Sequence, residues 1–421
     1  MKDVTQPPKG RGTMLSVVAT VAALVGLLAL APLASATSDP LSGGTTKLTL
    51  NKGFVKKLKK SGVKVLKLSP GTVKGRTATL PVSGGSLDPT TGQGTVEHSG
   101  GIKFKRGKKT APVNTLLLDT TTSSLTAKVA GKSMKLASVK GVTVVRNGFG
   151  ANVSISSLKL TGKAAKQLNK KLGFSGKKKG KAKGNKRASS SKVVKPPFKG
   201  NQVLGASSSE TQPKTVAVLP GGNATLVLSA AALKKLNDVG PQPEAPKPGP
   251  FAVQLATVAP TTVTDPGPPP TVAFPIGGGT MGPTAAAGIL QTAGGLTLTQ
   301  SLEAVGQGTT VLTMGNIWVD LSAKTATVEV TIQNDKNAEL NRGNLGRASI
   351  ADIQLTGATI TSDPATRTVS VQNASATLQA VTAETLNSVF IDPIEKATME
   401  AQEKFAAGDP LGVFSFTAQT Q

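Results

Sequence analysis

The sequence has no cysteine, no tyrosine, one histidine and only 3% aromatic residues in 421 positions. The absence of cysteine excludes disulfide scaffolds, zinc–thiolate sites, iron–sulfur clusters and thiol nucleophiles. The single histidine, His98, leaves few general bases and few nitrogen ligands for a metal ion. The sequence therefore predicts a protein that is not an enzyme, with no catalytic residues and no metal site.

Positive charge is distributed very unevenly along the chain. Residues 37–200 contain 35 lysines and arginines against 4 acidic residues, whereas residues 201–421 contain 11 against 17. The formal net charge of +27 therefore comes from the first half of the chain. A segment with this excess of positive charge must contact an anionic partner, or its basic side chains repel one another.

The first 36 residues have the features of an export signal. Three basic residues precede an uncharged apolar run at 14–31, and the small residues Ala34-Ser35-Ala36 follow it. This order is typical of a cleaved secretory signal peptide. A retained membrane anchor is the alternative, because about 18 apolar residues can just span a bilayer. We expect a secreted, extracellular protein that is associated with the cell envelope.

The rest of the chain contains an internal repeat. Residues 81–101 align without gaps with 275–295, and eight of the 21 positions are identical. Three more pairs of segments match in the same order: 48–58 with 226–236, Leu168-Asn169 with Leu386-Asn387, and 198–212 with 405–419. Repeats of this kind indicate a duplicated unit. We predict one copy at 45–212, with a basic loop at 177–187, and a second at 213–421, with a proline-rich insert at 240–270.

Short apolar runs separated by Gly, Asn, Asp and Pro predict antiparallel strands in both copies. Helical spacing of apolar residues occurs in four segments: Lys52–Lys60, Gly162–Leu172, Ser229–Leu236 and Ala380–Val389. The expected fold is mainly β, with two tandem β-sandwich or barrel-like domains that each carry one or two short helices. Trp318 lies in an apolar run and is expected in the core.

Several motifs resemble those of HtaA-type domains. They are the Leu-Pro or Phe-Pro motif followed by two glycines, the segment GTVEHSGGIKF, and the run LTGKAAKQLN. That family occurs in secreted, often duplicated actinobacterial proteins and is associated with heme capture at the cell envelope. The resemblance covers both copies, so it implies two HtaA-like domains and makes heme a possible cofactor.

Heme-binding members of the family use an axial tyrosine that is supported by a histidine. Because this chain has no tyrosine, only a histidine–methionine arrangement could hold the iron, and His98 with Met134 is the candidate pair. Copy two has Thr292 at the position that matches His98. Two alternatives stay open: His98 is a surface or strand-edge residue without a ligand role, or it is a catalytic base beside Ser99 and Glu97.

The basic first copy predicts a polyanionic partner. Only 4 of its 35 basic residues are arginine, and it has no tyrosine or tryptophan, so we expect no nucleic acid. Anionic cell-envelope polymers or a membrane surface fit better, although the charge could serve solubility alone or dock the acidic second copy. The expected contact residues form the basic loop: Lys177, Lys178, Lys179, Lys181, Lys183, Lys186 and Arg187.

The predicted function is that of an exported, non-enzymatic cell-envelope protein, a two-copy binding and adhesion module with a basic first half. The alternative is a heme-binding or small-ligand-binding protein of the HtaA type.

Overall fold

The computed structural model describes residues 38–174, 195–240 and 250–421. The predicted export signal at 1–36 and the predicted basic loop at 177–187 lie outside these ranges. No helix in the described ranges is long and apolar enough to cross a membrane.

The first copy forms a closed antiparallel barrel of eight strands. Its elements are β1 (Asp39–Leu50), α1 (Lys52–Lys60), β2 (Lys64–Leu68), β3 (Thr72–Lys74), β4 (Thr77–Leu87), β5 (Gly94–Arg106), β6 (Lys109–Asp119), β7 (Ser124–Val129), β8 (Lys132–Asn147), β9 (Gly150–Leu160), α2 (Gly162–Lys171) and β10 (Val203–Pro213). The barrel runs from β4 through β10 in chain order, and β1 closes it by pairing with both β10 and β4.

Both helices of this barrel cover the same end, which we call its helix end. Consecutive antiparallel strands alternate in direction, so α1, the β5–β6 turn and α2 lie at one end, and the β8–β9 turn lies at the other. In α1, the side chain of Asn51 caps the first turn by accepting hydrogen bonds from the main-chain nitrogens of Gly53 and Phe54. Phe54 and Leu58 are buried one turn apart, whereas the helix lysines are exposed.

The second copy forms a second closed antiparallel barrel of eight strands. Its elements are β11 (Val216–Ala217), β12 (Asn223–Leu228), α3 (Ala230–Asn237), β13 (Gln254–Val258), β14 (Thr262–Asp265), β15 (Thr271–Met281), β16 (Gly288–Thr292), β17 (Gly295–Ser301), a 3₁₀ turn (Glu303–Val305), β18 (Thr309–Asp320), β19 (Thr325–Asn334), β20 (Gly343–Gln354), β21 (Thr359–Asp363), β22 (Thr368–Leu378), α4 (Ala380–Leu386), a π-helical turn (Asn387–Ile391), α5 (Asp392–Thr398) and β23 (Pro410–Gln419). Closure passes through β15, β12, β23, β22, β20, β19, β18 and β16, and β16 pairs again with β15. The predicted fold class is confirmed.

The two barrels share most of their order of elements and one matched local contact at the helix end. In the first, the Asn169 side chain donates a hydrogen bond to the Phe198 carbonyl (2.8 Å) and accepts one from its main-chain nitrogen (3.4 Å). In the second, Asn387 makes the same two bonds to Phe405, at 2.9 and 2.8 Å. These four residues occupy matched positions of the repeat, so the sequence alignment and the geometry coincide at this end of each barrel.

The range 240–270, within which the sequence predicts the proline-rich insert, is not loop throughout. That range contains β13 and β14, which correspond to β2 and β3 of the first barrel. Most of the extra length lies between α3 and β13, at 238–253, where the first barrel uses only residues 61–63. Proline-rich sequence concealed the strands, because proline is tolerated at the ends of edge strands such as these.

The barrels are in direct contact through the β8–β9 turn. Phe149, at its tip, is 6% exposed and belongs to the apolar core of the second barrel. The guanidinium of Arg146, beside it, donates a hydrogen bond to the main-chain carbonyl of Gln421. The contact is therefore apolar at its centre, with the Arg146 guanidinium beside it.

Candidate functional site

The second barrel contains an apolar cavity of about 160 Å³ at its helix end. It lies between α3, α4 and the inner wall of the barrel, and aliphatic side chains form most of its lining. Buried aliphatic residues of the lining include Leu228, Leu236, Leu298, Leu312, Val328 and Val330. Apolar cavities of this size stay free of water and accept small apolar molecules.

The cavity exists because large side chains of the first barrel are replaced in the second. In the first barrel, the rings of Phe54, Phe104 and Phe198 pack edge to face, with centroids 5.1–6.4 Å apart. The repeat places Ala232 and Leu298 at the positions of Phe54 and Phe104. Both replacements line the cavity. The small cavities inside the first barrel hold only about 20 Å³ each.

One polar atom of the cavity wall has no hydrogen-bond partner. The hydroxyl oxygen of Ser349, on β20, is buried and unsatisfied. A buried hydroxyl without a partner costs about 1–3 kcal/mol, so a ligand atom that bonds to it would be favoured. At the surface, the lining ends in two exposed aliphatic residues, Leu345 and Val381, which are 49% and 58% exposed.

His98 lies inside the first barrel with both ring nitrogens engaged. It is 5% exposed; Nε2 is 2.6 Å from Thr46 Oγ1, and Nδ1 is 3.2 Å from the carbonyl oxygen of Leu116. Thr46 Oγ1 is in turn 2.7 Å from Ser209 Oγ. Because a carbonyl only accepts, the contact with Leu116 places a hydrogen on Nδ1 of the ring. Burial lowers the pKa of His98, and the Leu116 carbonyl opposes this shift only in part.

The second barrel indicates that this histidine has a structural role. At the matched position, Thr292 donates a hydrogen bond to the carbonyl of Ile317 (2.9 Å), the residue that corresponds to Leu116. The polar partners Thr46 and Ser209 correspond to Ala224 and Phe416, which are buried in the second core. The partners of His98 thus occupy interior space that apolar groups occupy in the other copy, and a smaller polar side chain, Thr292, replaces His98 itself.

The candidate heme pair is not assembled in the first barrel. His98 lies on β5 and Met134 on β8, with β6 and β7 between them in the barrel wall. His98 borders two spaces: a cavity of about 20 Å³ inside the barrel, and a pocket of about 440 Å³ that is open to the surface and is also lined by Ser99 and Asn114. Both imidazole nitrogens are already hydrogen-bonded within the barrel, and Met134 lies three strands away, so His98 and Met134 do not form an axial ligand pair for heme.

The other sequence candidates are also separated. Glu97 is exposed on the opposite face of β5 from buried His98, and the ring bonds of His98 go to Thr46 and Leu116 rather than to Ser99. Within the described ranges, no cluster of three or more acidic, histidine or cysteine side chains could hold a metal ion.

Trp318 is not a core residue, in contrast to the expectation. It is 36% exposed, and the guanidinium of Arg347 lies 4.0 Å from its ring centroid. A bulge between Gly315 and Trp318 shifts the pairing of β18 with β19, and such a bulge redirects the alternation of side chains.

No protein-family model matches the chain, and no curated protein matches it. Among solved structures, the C-terminal domain of HtaA from Corynebacterium glutamicum is 12% identical, over 49% of this chain and 99% of that one, with a TM-score of 0.31. The heme binding protein HtaB from the same organism is 12% identical, over 49% and 96% of the two chains, with a TM-score of 0.30. Likenesses at these TM-scores assign neither a ligand nor a site to this chain.

Proposed function

We propose that the protein is a small-ligand-binding protein whose second barrel takes up a single-chain aliphatic molecule with one hydrogen-bonding group. The observation that carries the proposal is the replacement of Phe54 and Phe104 by Ala232 and Leu298 in the repeat. The two copies thus differ at their helix ends: the second barrel has an apolar cavity where the first is filled by phenylalanine rings. The lining of this cavity reaches the surface at Leu345 and Val381.

The lining specifies the chemical class of the ligand. Aliphatic walls favour a hydrocarbon chain, because each buried CH₂ group contributes about 0.8 kcal/mol. The unsatisfied Ser349 hydroxyl adds a place for an alcohol or carbonyl oxygen. Heme fits poorly here as well, because the lining includes no histidine, tyrosine or cysteine and only one methionine, Met314, as an iron ligand.

The test uses the first barrel as a template for closing the cavity. Ala232→Phe restores the ring that Phe54 supplies in the first copy, and we expect at least a tenfold loss of affinity for a dansyl-labelled undecanoic acid probe. The melting temperature should be unchanged or higher, because the new ring fills existing space. Ala231→Phe is the matched control, since Ala231 is exposed on the same helix and does not line the cavity. Equal binding by wild type and Ala232→Phe would refute the site.

A second comparison tests the role of Ser349. Displacement of the probe by 1-decanol should exceed that by decane in the wild type, by roughly 3–10-fold for one hydrogen bond. Ser349→Ala should reduce this preference while leaving binding of the probe's chain in place. Titration with hemin should give no sharp, stoichiometric Soret band.

For the first barrel, we propose a polyanionic partner at the cell envelope, as its composition suggests. Two ion pairs at the helix end of the second barrel, Lys234–Asp238 and Lys235–Asp409, support this proposal, because the repeat places no acidic residue at the matched positions of the first barrel. The matched lysines of the first barrel therefore keep their charge available to a partner. Export to the cell surface and a non-enzymatic role belong to the same proposal, which a salt-dependent cell-wall binding assay would test.

A further inference from the structure

Charge in the first barrel is separated along the barrel. The helix end carries lysine and arginine without any acidic residue on α1, the β5–β6 turn or α2. The described carboxylates of the first barrel lie away from this end. Four of them are at or near the opposite ends of their strands, and Glu97 lies within β5; the set is Asp39, Asp88, Glu97, Asp119 and Glu210. The helix end is therefore the most strongly cationic part of the described barrel.

Comparison of the two copies shows that the first lacks the counter-charges that the second has. In the second, Lys234 pairs with Asp238 one turn later in α3. The matched positions in α1 are Lys56 and Lys60, both exposed and of like charge. Like charges at this helical spacing destabilise a helix by a few tenths of a kcal/mol.

A second pair repeats the difference. Lys235 of the second barrel is 2.8 Å from Asp409, and the matched residues of the first are Lys57 and Gln202. The Gln202 side-chain nitrogen is buried and has no hydrogen-bond partner. Both acidic partners of the second copy are thus replaced at the same end of the first.

Further lysines face each other across the neighbouring strands. Lys64 on β2 lies directly opposite Lys105 on β5, and Lys103 follows two residues away on the same side of β5. The positions across from Lys103 and Lys105 on β6 are Pro112 and Thr110, which supply no charge. Like charges directly opposite in a sheet are unfavourable unless an anion lies between them.

The chemistry of this end discriminates between classes of anion. Its aromatic rings, Phe54, Phe104 and Phe198, are buried and cannot stack on bases. The Arg106 guanidinium is engaged with the Leu172 carbonyl and lies over the Phe174 ring, so lysine point charges remain as the exposed groups.

We propose that the helix end of the first barrel binds a flexible phosphodiester polymer without bases. The site consists of the exposed lysines of α1 together with Lys64, Lys103 and Lys105. A flexible chain can place phosphates beside the lysines of the helix and beside those of the adjacent strands at the same time. A planar membrane surface can contact fewer of these lysines at once. This inference rests on the polyanionic partner proposed above and names its site and chemistry.

The experiment restores the counter-charges of the second barrel in the first. In the full chain, Lys60→Asp with Gln202→Asp recreates the two acidic positions, and Lys140→Asp with Ser208→Asp gives the same charge change at exposed positions on β8 and β10. Binding to deacylated poly(glycerol phosphate) is measured between 50 and 200 mM NaCl, alongside vesicles with 30% phosphatidylglycerol and a 20-residue oligothymidine.

We expect the Lys60/Gln202 variant to lose at least tenfold in affinity and to show a smaller salt slope, since each phosphate contact contributes about 0.7 to that slope for a single strand. Its melting temperature should stay the same or rise, because like-charge repulsion is relieved. The Lys140/Ser208 variant should bind within threefold of the wild type.

An equal loss in both variants would place the site elsewhere. Stronger wild-type binding to vesicles or to oligothymidine would overturn the polymer assignment, and no salt-dependent binding to any of the three would refute the polyanionic partner itself.

Discussion

Asp39 is a buried carboxylate that should destabilise the folded protein at neutral pH. It is 4% exposed at the start of β1, and its Oδ2 atom is buried without a hydrogen-bond partner. Burial raises the pKa of Asp39 from 3.8 to about 6; nearby Arg146 lowers it only in part, and the charge of Asp88 raises it further. The carboxylate therefore resists ionisation in the fold more than it does in the unfolded chain.

The sign and magnitude follow from this difference. A folded-state pKa above the unfolded value means that the contribution of Asp39 is most favourable below pH 3.8 and is lost as the pH rises through about 6. At about 1.4 kcal/mol per pKa unit, the loss amounts to about 3 kcal/mol above pH 6. Asp39→Asn keeps the shape of the side chain and removes the ionisation.

We expect Asp39→Asn to raise the melting temperature at pH 7.5 by roughly 5–10 °C for a loss of this size. At pH 4 the variant and the wild type should melt within about 2 °C of each other. Circular dichroism is the suitable measurement, because Trp318 reports on the second barrel only. Asp119→Asn is the control: hydrogen bonds from Thr122 help to lower the pKa of Asp119 despite some burial, so its replacement should not stabilise the protein at pH 7.5. A destabilised Asp39→Asn at pH 7.5 would refute the reasoning.

Two further predictions concern buried polar groups of the first barrel. Because His98 is the only histidine, its ring resonances in an NMR pH titration should give one curve with a midpoint below 6.5, since burial lowers the pKa of His98; a midpoint above 6.5 would contradict the buried, neutral ring. Asn169→Ala should lower the free energy of unfolding by about 2 kcal/mol, because it removes both side-chain hydrogen bonds to Phe198, and urea denaturation would measure the loss.

The local structure was largely readable from the sequence. The helix predicted at Lys52–Lys60 has those bounds in the structure, and Ser229 accepts a hydrogen bond from the main-chain nitrogen of Ala232 at the start of α3. Amphipathic spacing and capping residues act within a few positions, so they leave a local signal. Closure of each barrel could not be read in this way, because the pairing of β1 with β10 joins residues about 160 positions apart in sequence.

The cavity left a signal that the repeat alignment could have found. Ala232 aligns with Phe54 inside the matched segments 48–58 and 226–236, and Leu298 aligns with Phe104 when the match of 81–101 with 275–295 is extended by three residues. What the alignment could not supply was the knowledge that both phenylalanines meet Phe198 in one cluster. A pair of large-to-small differences indicates a cavity only when the residues are known to share one space.

The two helix ends differ in a way that gives each barrel a separate property. In the first, three aromatic rings fill the interior and stabilise an outer layer of lysines that repel one another. In the second, Lys234 and Lys235 are paired with Asp238 and Asp409, and the interior beneath them is open. A tightly packed core offsets surface repulsion, and a neutralised surface tolerates a cavity that would cost about 2–5 kcal/mol if it were made by truncating a large side chain. Core packing and surface charge thus differ together between the two copies. For this reason we expect binding of an aliphatic ligand on the second barrel and binding of a polyanion on the first.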